Sequence, residues 1–407
     1  MFSLMLAGVL AASCLSGCGS DTEETTAAAG SSAAAGEESN SAAAGEEGGA
    51  AEGGTFLIGG IGPTTGSAAV YGNAVKNGAE MAIEEINAAG GVNGMMLELN
   101  FQDDENNTEK AVNAYNTLKD AGIEVLMGTV TSDPCIAVAE RTYEDNMFQL
   151  TPSGSSVPCT QYENAFRICF NDPAQGGASA EYISTMGLAQ KVAVIYDSST
   201  SYSSGIYQNF AQEAANRGIE IVAAEAFTQD SNTDFSVQLQ KIQAAAPDLV
   251  FLPIYYEEAA LILKQADTMG MDLTFFGCDG LDGVITQLGS DASLAEGVML
   301  LTPFVADASD EKTQAFTSAY VEAYGDTPNQ FAADAYDAIY TIKAALEQAG
   351  VTDPDMDPSE LCDLLKTAMT EIEVEGLTGT MTWTADGECS KEPKGMIIEN
   401  GSYTAIE

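Results

Sequence analysis

The stretch TFLIGGIGPTTGSAAVYGNAVKNGAEMAIEEINAAGGVNGMMLELNF, residues 55–101, places two short apolar runs on either side of a longer amphipathic one. The first run, TFLIGGIG, and the last, MLELNF, have the length and composition of β-strands. Between them, apolar residues recur on one face of a helix: Val75, Ala79, Ala82, Ile83 and Ile86. Gly90 and Gly91 then end that helix. The stretch therefore predicts a strand–helix–strand unit.

The same alternation continues through the rest of the chain. It predicts further strands at IEVLMGTV, MFQLTP, KVAVIYD, IEIVAAEAF, DLVFLPIY, LTFFG and GVMLLTPF. Strands that alternate with amphipathic helices form parallel sheets covered on both faces by helices. The pattern restarts near Asn171, Asp172 and Pro173, which favours two lobes of similar design over one very large sheet. The predicted fold class is α/β with two Rossmann-like lobes.

The composition excludes several classes of function. The chain carries 61 acidic residues, 14 basic residues and no histidine, for a formal net charge of −47. Such a charge repels phosphate backbones, so nucleic acid is not a partner. Without histidine, neither a Ser-His-Asp nor a Cys-His mechanism is available, and the commonest zinc ligand is missing. The eight cysteines form no C-x-x-C pair, so we predict no metal site, no cofactor and no enzyme.

The N-terminal segment is predicted to export and anchor the protein. Residues 1–17 form a short apolar run, well below the about 20 residues that span a bilayer. The run ends in L-S-G-C, which resembles the bacterial lipobox and implies that Cys18 is lipidated; an ordinary secretory peptide is the alternative. Residues 18–54 are rich in Gly, Ala, Ser and Glu and are predicted to form a disordered tether. We therefore expect a protein on the extracellular face of a bacterial membrane, held by lipid alone.

Polar side chains follow the predicted strands at the edge where α/β sheets bind ligands. Hydroxyls at Ser132, Ser153 and Ser155 lie beside the N–H groups of helix starts, which suits a carboxylate. Asp279 offers a partner for an ammonium group. Aromatic residues complete the predicted site for a zwitterion: Tyr71, Tyr202, Tyr255 and Phe331. Simpler readings remain open, with Ser132 as a helix cap before Pro134, the tyrosines as rim residues and Asp279 as part of a turn.

Residues 57–113, together with MFQLTPSGSS, FRICFNDPAQG and FAADAYDAIY, resemble the branched-chain amino acid binding proteins of ABC importers. The resemblance implies a type I periplasmic-binding-protein fold, in which two Rossmann-like lobes are joined by a three-crossover hinge and close on the ligand. It implies an N-terminal lobe of residues 55–172 plus about 304–382. The C-terminal lobe would contain residues 173–303 plus about 383–407.

The resemblance also implies roles for residues of the N-terminal lobe. Ser132 matches the serine that binds the ligand carboxylate after the third strand. Ser153, Gly154 and Ser155 match an A-A-T loop, with Ser155 in place of the threonine that touches both ends of the amino acid. Because serine keeps the hydroxyl, the polar recognition of an α-amino acid is retained.

The remaining implied contacts surround the other end of the ligand. Tyr202 and Tyr255 match aromatic residues that close over it from the second lobe. Asp279 stands where the family usually has a glutamate that binds the ammonium group, and its shorter side chain demands a closer ligand or a bridging water. Tyr71 and Phe331 match positions that line the side-chain pocket.

The predicted function is the capture of a free amino acid, branched-chain or related, and its delivery by a monomeric protein to an ABC permease and its ATPase subunits. Alternatives are a sensing protein that acts through a partner, and a binder of urea, short amides or aromatic acids. An amidase using a serine of GTVTSDPC or TPSGSS lacks a base within those loops. The pairing of the cysteines stays open. Cys159 could form a disulfide with Cys169, and Cys362 with Cys389, or these residues are free thiols.

Overall fold

The computed structural model describes residues 53–406. The predicted signal segment, the lipidation site Cys18 and all but the last two residues of the predicted tether lie outside the described residues. No helix in the described part of the chain is long and apolar enough to cross a membrane.

The first sheet has five strands in the order β2-β1-β3-β4-β5, and all its pairs are parallel. Every residue of the third strand is buried, as expected for a central parallel strand covered on both faces. The strands are β1 (Thr55–Gly62), β2 (Met96–Asp103), β3 (Val125–Gly128), β4 (Gln149–Thr151) and β5 (Ala165–Arg167).

Three helices connect these strands: α1 (Ala69–Ala88), α2 (Thr108–Asp120) and α3 (Ser132–Asp145). The buried face of α1 includes every apolar position that the sequence predicted for it. Strand–helix connections of this kind bring the carboxyl ends of the strands, and the loops after them, to one edge of the sheet.

The second sheet has seven strands in the order β14-β13-β10-β9-β8-β6-β7. Its parallel part consists of β6 (Lys191–Asp197), β7 (Glu220–Phe227), β8 (Leu249–Leu252), β9 (Phe275–Gly277) and β10 (Met299–Thr302). The helices of this part are α4 (Asp172–Thr185), α5 (Ser201–Arg217), α6 (Ser236–Ala245), α7 (Tyr256–Thr268) and α8 (Val284–Leu288).

The chain then returns to the first lobe through α9 (Glu311–Tyr324), α10 (Gln330–Ala349) and α11 (Pro358–Met369). Helix α10 packs closely on α1, since a Cβ added at Gly78 would collide with the Ala332 carbonyl. The hairpin β11 (Glu373–Glu375) and β12 (Thr380–Thr382) follows. The chain ends in β13 (Lys394–Glu399) and β14 (Ser402–Ala405), which join the second sheet in antiparallel fashion.

The chain thus passes between the two lobes three times, which confirms the predicted fold class. The strands predicted from the sequence are all present, although several are shorter at their ends than the apolar runs. The sequence did not predict β5, β11, β12, β13 or β14. Of these, β5, β11 and β12 have three residues each and β14 has four, whereas β13 has six.

Candidate functional site

The loop after β3 leads directly into α3, and Ser132 is the first residue of that helix. Thr131 therefore occupies the N-cap, in extended conformation and without a side-chain capping bond. The alternative in which Ser132 caps the helix is wrong, because its hydroxyl instead accepts a hydrogen bond of 3.2 Å from the Ser156 N–H. Ser132 thus ties the start of α3 to the loop that follows β4.

That second loop holds the other predicted carboxylate contacts. The Ser153 hydroxyl donates to the Val130 carbonyl at 2.7 Å, so it links the loops after β3 and β4. The Gly154 N–H donates to the Thr151 hydroxyl at 2.8 Å. The Ser155 hydroxyl is different, since it is buried without a well-formed hydrogen bond and lies beside the Asp172 carboxylate, whose pKa it lowers.

Arg167, at the end of β5, holds this loop in place from behind. Its side chain is fully buried and donates to the carbonyls of Gly154 at 3.0 Å, Ser155 at 2.6 Å and Ser156 at 3.1 Å. It also forms an ion pair of 3.2 Å with Glu388. Because the loop carbonyls are turned toward the guanidinium, Arg167 acts as a positioning residue for the predicted carboxylate contacts. The sequence analysis did not assign it.

In the second lobe, Asp279 follows β9 and is buried. Its carboxylate accepts a hydrogen bond of 2.6 Å from the Tyr202 hydroxyl, and that hydroxyl accepts one of 3.0 Å from the Gly280 N–H. Burial raises the pKa of Asp279 to about 6, against the lowering effect of the Tyr202 hydrogen bond. An ammonium group would oppose this rise by favouring the ionised carboxylate.

Aromatic rings from both lobes meet beside Asp279. Tyr71, in the first turn of α1, is stacked on Phe331 with ring centroids 4.1 Å apart. Its hydroxyl donates to the Gly280 carbonyl at 2.5 Å and accepts from the Tyr256 N–H at 3.2 Å. The Tyr255 ring lies 5.5 Å from that of Tyr71. The predicted aromatic residues of the two lobes are therefore in contact, and the lobes lie closed on one another here.

Tyr255 links the two ends of the predicted site. Burial raises its pKa well above the usual value, and the carboxylates of Asp133, Asp279 and Asp172 raise it further. The Ser132 backbone has the opposite effect and lowers the pKa. The Tyr255 hydroxyl is therefore close to the start of α3, where a carboxylate is expected, as well as to Asp279.

A second buried acid, Asp172 in the first turn of α4, was missed by the sequence analysis. Its N–H donates to the Ser155 carbonyl at 3.0 Å, and its carboxylate is buried beside the Ser155 and Ser156 hydroxyls without a well-formed hydrogen bond. Burial raises its pKa well above the usual range, the two hydroxyls oppose this rise, and the charge of Asp279 adds to it. The motif FRICFNDPAQG carried this residue, but an acid at a helix start is also a common stabilising feature, so its position alone assigned no role.

Two glutamine side chains complete this polar group. The Gln175 side-chain oxygen accepts from the Asp279 N–H at 3.3 Å, whereas its side-chain nitrogen has no partner. The side-chain oxygen of Gln330 is also buried without a partner. Both amides lie close enough to the Asp279 carboxylate to lower its pKa, so Asp279, Gln175 and Gln330 form one buried polar group.

The edge of the closed cleft is polar and acidic. Asp133 of α3 accepts hydrogen bonds from the N–H and hydroxyl groups of Ser201 at 3.2 and 2.5 Å, which joins the two lobes. Beside this link lies a cavity of about 250 Å³ lined by both lobes, including Asn107, Thr200 and Tyr255.

The six cysteines in the described part of the chain are free thiols. Cys159 approaches the Ser132 carbonyl at 3.6 Å, and the Gln149 side-chain amide approaches Cys135 at 3.5 Å. Neither pairing considered from the sequence is formed. No cluster of potential metal ligands occurs among residues 53–406.

Comparison with known proteins places this geometry in a family. The sequence profile of the family described as "Periplasmic binding protein" matches residues 55–391. The Leu/Ile/Val-binding protein homolog 3 of Brucella melitensis is 30% identical over 335 residues, which are 82% of this chain and 88% of that protein. A leucine-, isoleucine-, valine-, threonine- and alanine-binding protein of Pseudomonas aeruginosa is 31% identical, over 74% of this chain and 80% of its own.

Solved structures of similar proteins indicate the same family. The branched-chain amino acid transporter substrate-binding protein LivJ of Streptococcus pneumoniae, in complex with isoleucine, superposes with a TM-score of 0.78 at 29% identity, over 86% of this chain and 98% of its own. The leucine-binding protein LivK of Thermotoga maritima gives a TM-score of 0.77 at 27% identity, over 86% of this chain and 98% of its own. The resemblance and the fold predicted from the sequence are confirmed.

Proposed function

The chain belongs to the periplasmic binding protein family, and we propose that it captures a free amino acid between its two lobes and delivers it to an ABC permease. The relatives named above are binding proteins. This supports a protein that binds its solute without making or breaking a bond in it.

The observation that carries the proposal is the opposite polarity of the two ends of the cleft. At one end, the start of α3 and the loop held by Arg167 offer N–H and hydroxyl groups. At the other end, Asp279 offers a buried carboxylate. Asp172 lies between the two, since its N–H donates to the Ser155 carbonyl at 3.0 Å and the charge of Asp279 adds to the rise of its pKa by burial. A zwitterion with its carboxylate toward the first end and its ammonium toward Asp279 would match this polarity.

The proposed ligand is a branched-chain or related amino acid. The ligand side chain would contact Tyr71, Phe331 and Tyr255, whose rings form one apolar wall. Support comes from relatives whose names include leucine, isoleucine, valine, threonine and alanine. An aromatic wall of this kind provides burial without a charged group, so it suits an apolar or small side chain.

The proposal includes the division into lobes and the anchor. The N-terminal lobe would consist of residues 55–172 and about 304–382, and the C-terminal lobe of residues 173–303 and about 383–407. We propose lipidation at Cys18, a tether over residues 18–54 and a monomeric protein outside the cell. All strands of the first sheet lie within residues 55–172, and all strands of the second sheet lie within residues 173–303 and 383–407, which supports these lobe boundaries.

The alternatives considered from the sequence gain no support from these relatives. A sensing role through a partner, or binding of urea, amides or aromatic acids, matches none of the relatives described above. An amidase would need a base beside TPSGSS. The basic side chain that contacts this loop is Arg167, which is always protonated and cannot accept a proton.

The proposal is tested by a thermal-shift screen against the amino acids. A ligand present at 100 times its Kd adds about 2.7 kcal/mol to the free energy of unfolding, which is readily measured. We expect one or a few amino acids to raise the melting temperature. No shift with any of them would overturn the proposal.

Matched variants test whether the increase in melting temperature depends on Asp279. Asp279→Ala removes the proposed ammonium partner, and such a loss costs about 2–5 kcal/mol of binding. Asp267→Ala removes an exposed acid of the same type on α7 and serves as control. The shift is expected to disappear in the first variant and to remain in the second. Equal shifts in both would remove Asp279 from the site.

A further inference from the structure

Two buried cysteines lie on either side of the loop after β4, which holds the predicted carboxylate contacts. Cys135 is in the first turn of α3, and Cys159 is in the 3₁₀ turn Val157–Thr160 that follows this loop. Neither side chain has any exposed surface, and both are free thiols. The proposed binding of an amino acid uses neither of them.

The contacts of Ser132 bring the 3₁₀ turn onto the start of α3. The Ser156 N–H donates to the Ser132 hydroxyl at 3.2 Å, and the Cys159 thiol approaches the Ser132 carbonyl at 3.6 Å. Residues three apart on a helix lie on the same face, so Cys135 projects from the same face as Ser132. The Cys159 thiol therefore reaches the turn of α3 from which Cys135 projects.

The two thiols are in contact with each other. A hydrogen bond with Cys159 is the largest effect on the pKa of Cys135, which is lowered although the thiol is buried. The pKa of Cys159 is raised well above its usual value, first by burial and then by the hydrogen bond with Cys135. These opposite directions identify the Cys159 thiol as the donor and the Cys135 sulfur as the acceptor. Two sulfur atoms in contact are the arrangement from which a disulfide forms.

Cys135 also lies directly beneath the loop after β4. A Cβ atom added at Gly154 would be 3.0 Å from the Cys135 sulfur and 3.2 Å from the Cys135 Cβ. Arg167 holds the same loop through the carbonyls of Gly154 and Ser155. A bond between Cys135 and Cys159 would therefore fix the end of the loop to the helix on which Gly154 packs.

Other thiols in the described part of the chain have different surroundings. The Cys278 sulfur lies 3.6 Å from the Ser179 hydroxyl in the second lobe. Burial raises the pKa of Cys169, and the charges that act on it most strongly are those of Arg167 and Asp334 rather than that of a thiol. The partner that the fold brings to Cys159 is therefore Cys135 and not Cys169.

We propose that Cys135 and Cys159 form a disulfide when the protein folds in the presence of a low-molecular-weight disulfide, and that this bond fixes the loop after β4 to α3. The structure, in which both are free thiols, shows the reduced form of the pair. Because both thiols are buried once the protein is folded, the reagent reacts with the unfolded or partly folded chain.

The reaction is an ordinary thiol–disulfide exchange. The thiolate of one cysteine attacks the reagent disulfide, forms a mixed disulfide and releases one reagent thiolate. Folding brings the other cysteine to the mixed disulfide, and its thiolate displaces the second reagent thiolate. Two protein thiols are oxidised, one reagent disulfide is reduced to two thiols, and these take up the two protons.

The test refolds the reduced protein from guanidinium chloride in a mixture of reduced and oxidised glutathione. Free thiols are then alkylated, and the protein is cleaved after Lys and Arg without reduction. Cys135, Cys159 and Cys169 fall in three different peptides, residues 120–141, 142–167 and 168–191, so mass spectrometry distinguishes their pairings. We expect the first two peptides to be joined in most of the protein. Absence of this cross-link, or an equal yield of the second peptide joined to the third, would overturn the proposal.

Matched variants relate the cross-link to stability. Cys135→Ser and Cys159→Ser each remove one thiol of the pair, and Cys362→Ser removes a buried thiol of α11 as the control. Oxidation is expected to raise the melting temperature of the wild type and the control by at least about 3 °C, because the bond restricts the unfolded chain. Neither serine variant of the pair should respond, and either one suffices if the other does not fold. The same shift in all four proteins, or a shift in none, would contradict the assignment of the bond to this pair.

Amide hydrogen exchange tests whether the bond fixes the loop. Oxidation is expected to slow the exchange of residues 153–156 by at least about threefold in the wild type, because local opening of the loop becomes rarer. The exchange should not change in Cys159→Ser. Unchanged exchange in a wild-type protein that carries the cross-link would overturn the proposed effect on the loop.

None of these measurements uses a ligand, so their outcome does not depend on whether the cleft binds an amino acid. The effect on binding rests on the proposed function, since a loop that is already ordered costs less free energy to order when the ligand binds. The oxidised wild type is therefore expected to bind the amino acid at least about twofold more tightly than the reduced form, with no such difference in Cys159→Ser. An unchanged Kd in cross-linked protein would overturn this effect, whereas a lack of binding in both forms would refute the proposed function alone.

Discussion

We expect the affinity for the amino acid to fall as the pH is lowered through 6. The proposed partner of the ligand's ammonium group is Asp279, whose pKa is raised by burial to about 6. Only the ionised carboxylate attracts the ammonium group strongly, so a protonated Asp279 must first release its proton. The chain contains no histidine, so the side chain that usually titrates in this range does not contribute.

The magnitude follows from the fraction of protein with an ionised Asp279. With a pKa of about 6, that fraction is about nine tenths at pH 7 and about one tenth at pH 5. The Kd should therefore rise by about tenfold between pH 7 and pH 5, equivalent to about 1.4 kcal/mol of binding free energy. Asp172, whose pKa is raised more strongly, acts in the same direction.

Titration calorimetry at the two pH values measures the effect in the wild-type protein, in Asp279→Asn and in the control Asp267→Asn. Wild type and control are expected to lose about tenfold in affinity. Asp279→Asn is expected to bind weakly at both pH values, with a smaller ratio between them. A wild-type Kd that does not change, or a tenfold change that persists in Asp279→Asn, would refute the assignment of the ammonium to Asp279.

Three further outcomes are expected. Arg167→Met should lower the free energy of unfolding by about 3–5 kcal/mol, because the loop carbonyls lose their buried donor; a urea titration with no change would show that Arg167 does not hold the loop. Gly78→Ala should cost about 1–3 kcal/mol by forcing a methyl group into the backbone of α10, and an unchanged midpoint would contradict that packing. The unliganded protein should become more stable as the pH falls from 8 to 5. Buried acids such as Asp282 and Asp334 have pKa values of about 7, above those of the unfolded chain, so the folded state binds more protons in this range. A melting temperature that drops over this interval would contradict the raised pKa values.

The fold could be predicted from the sequence because the patterns that indicate strands and helices are local. The alternation of apolar strands with amphipathic helices, as in residues 55–101, depends on neighbours along the chain and predicted the strands of both sheets except β5, β13 and β14. Polar residues after strand ends were also predictable, since parallel strands deliver their carboxyl ends to one edge. Ser132, Ser155 and Asp279 were predicted in this way, and each follows a strand of its sheet in the structure.

Residues whose role depends on distant contacts were not predictable in the same way. Arg167 reaches the loop after β4 because β5 pairs in parallel with β4, with Arg167 opposite Thr151. Nothing near Arg167 in the sequence encodes that pairing. Asp172 looked like an ordinary acid at the start of a helix, and only its burial beside Ser155 and Ser156 sets it apart.

The positions of individual hydroxyls also depend on tertiary structure. Ser153 and Ser155 are separated by a single residue and looked equivalent in the sequence. In the structure, the Ser153 hydroxyl donates to the Val130 carbonyl, whereas the Ser155 hydroxyl lies beside the Asp172 carboxylate. The difference arises from how the loops after β3 and β4 pack on each other, which composition and spacing do not determine.

The most direct test of the proposed site is a crystal structure of the protein with the amino acid that binds most tightly in the screen. The ligand is expected between the lobes, with its nitrogen within hydrogen-bonding distance, about 3 Å, of Asp279. Its carboxylate is expected at the start of α3 and at Ser155. A ligand in the reverse orientation, or bound outside the cleft, would contradict the account.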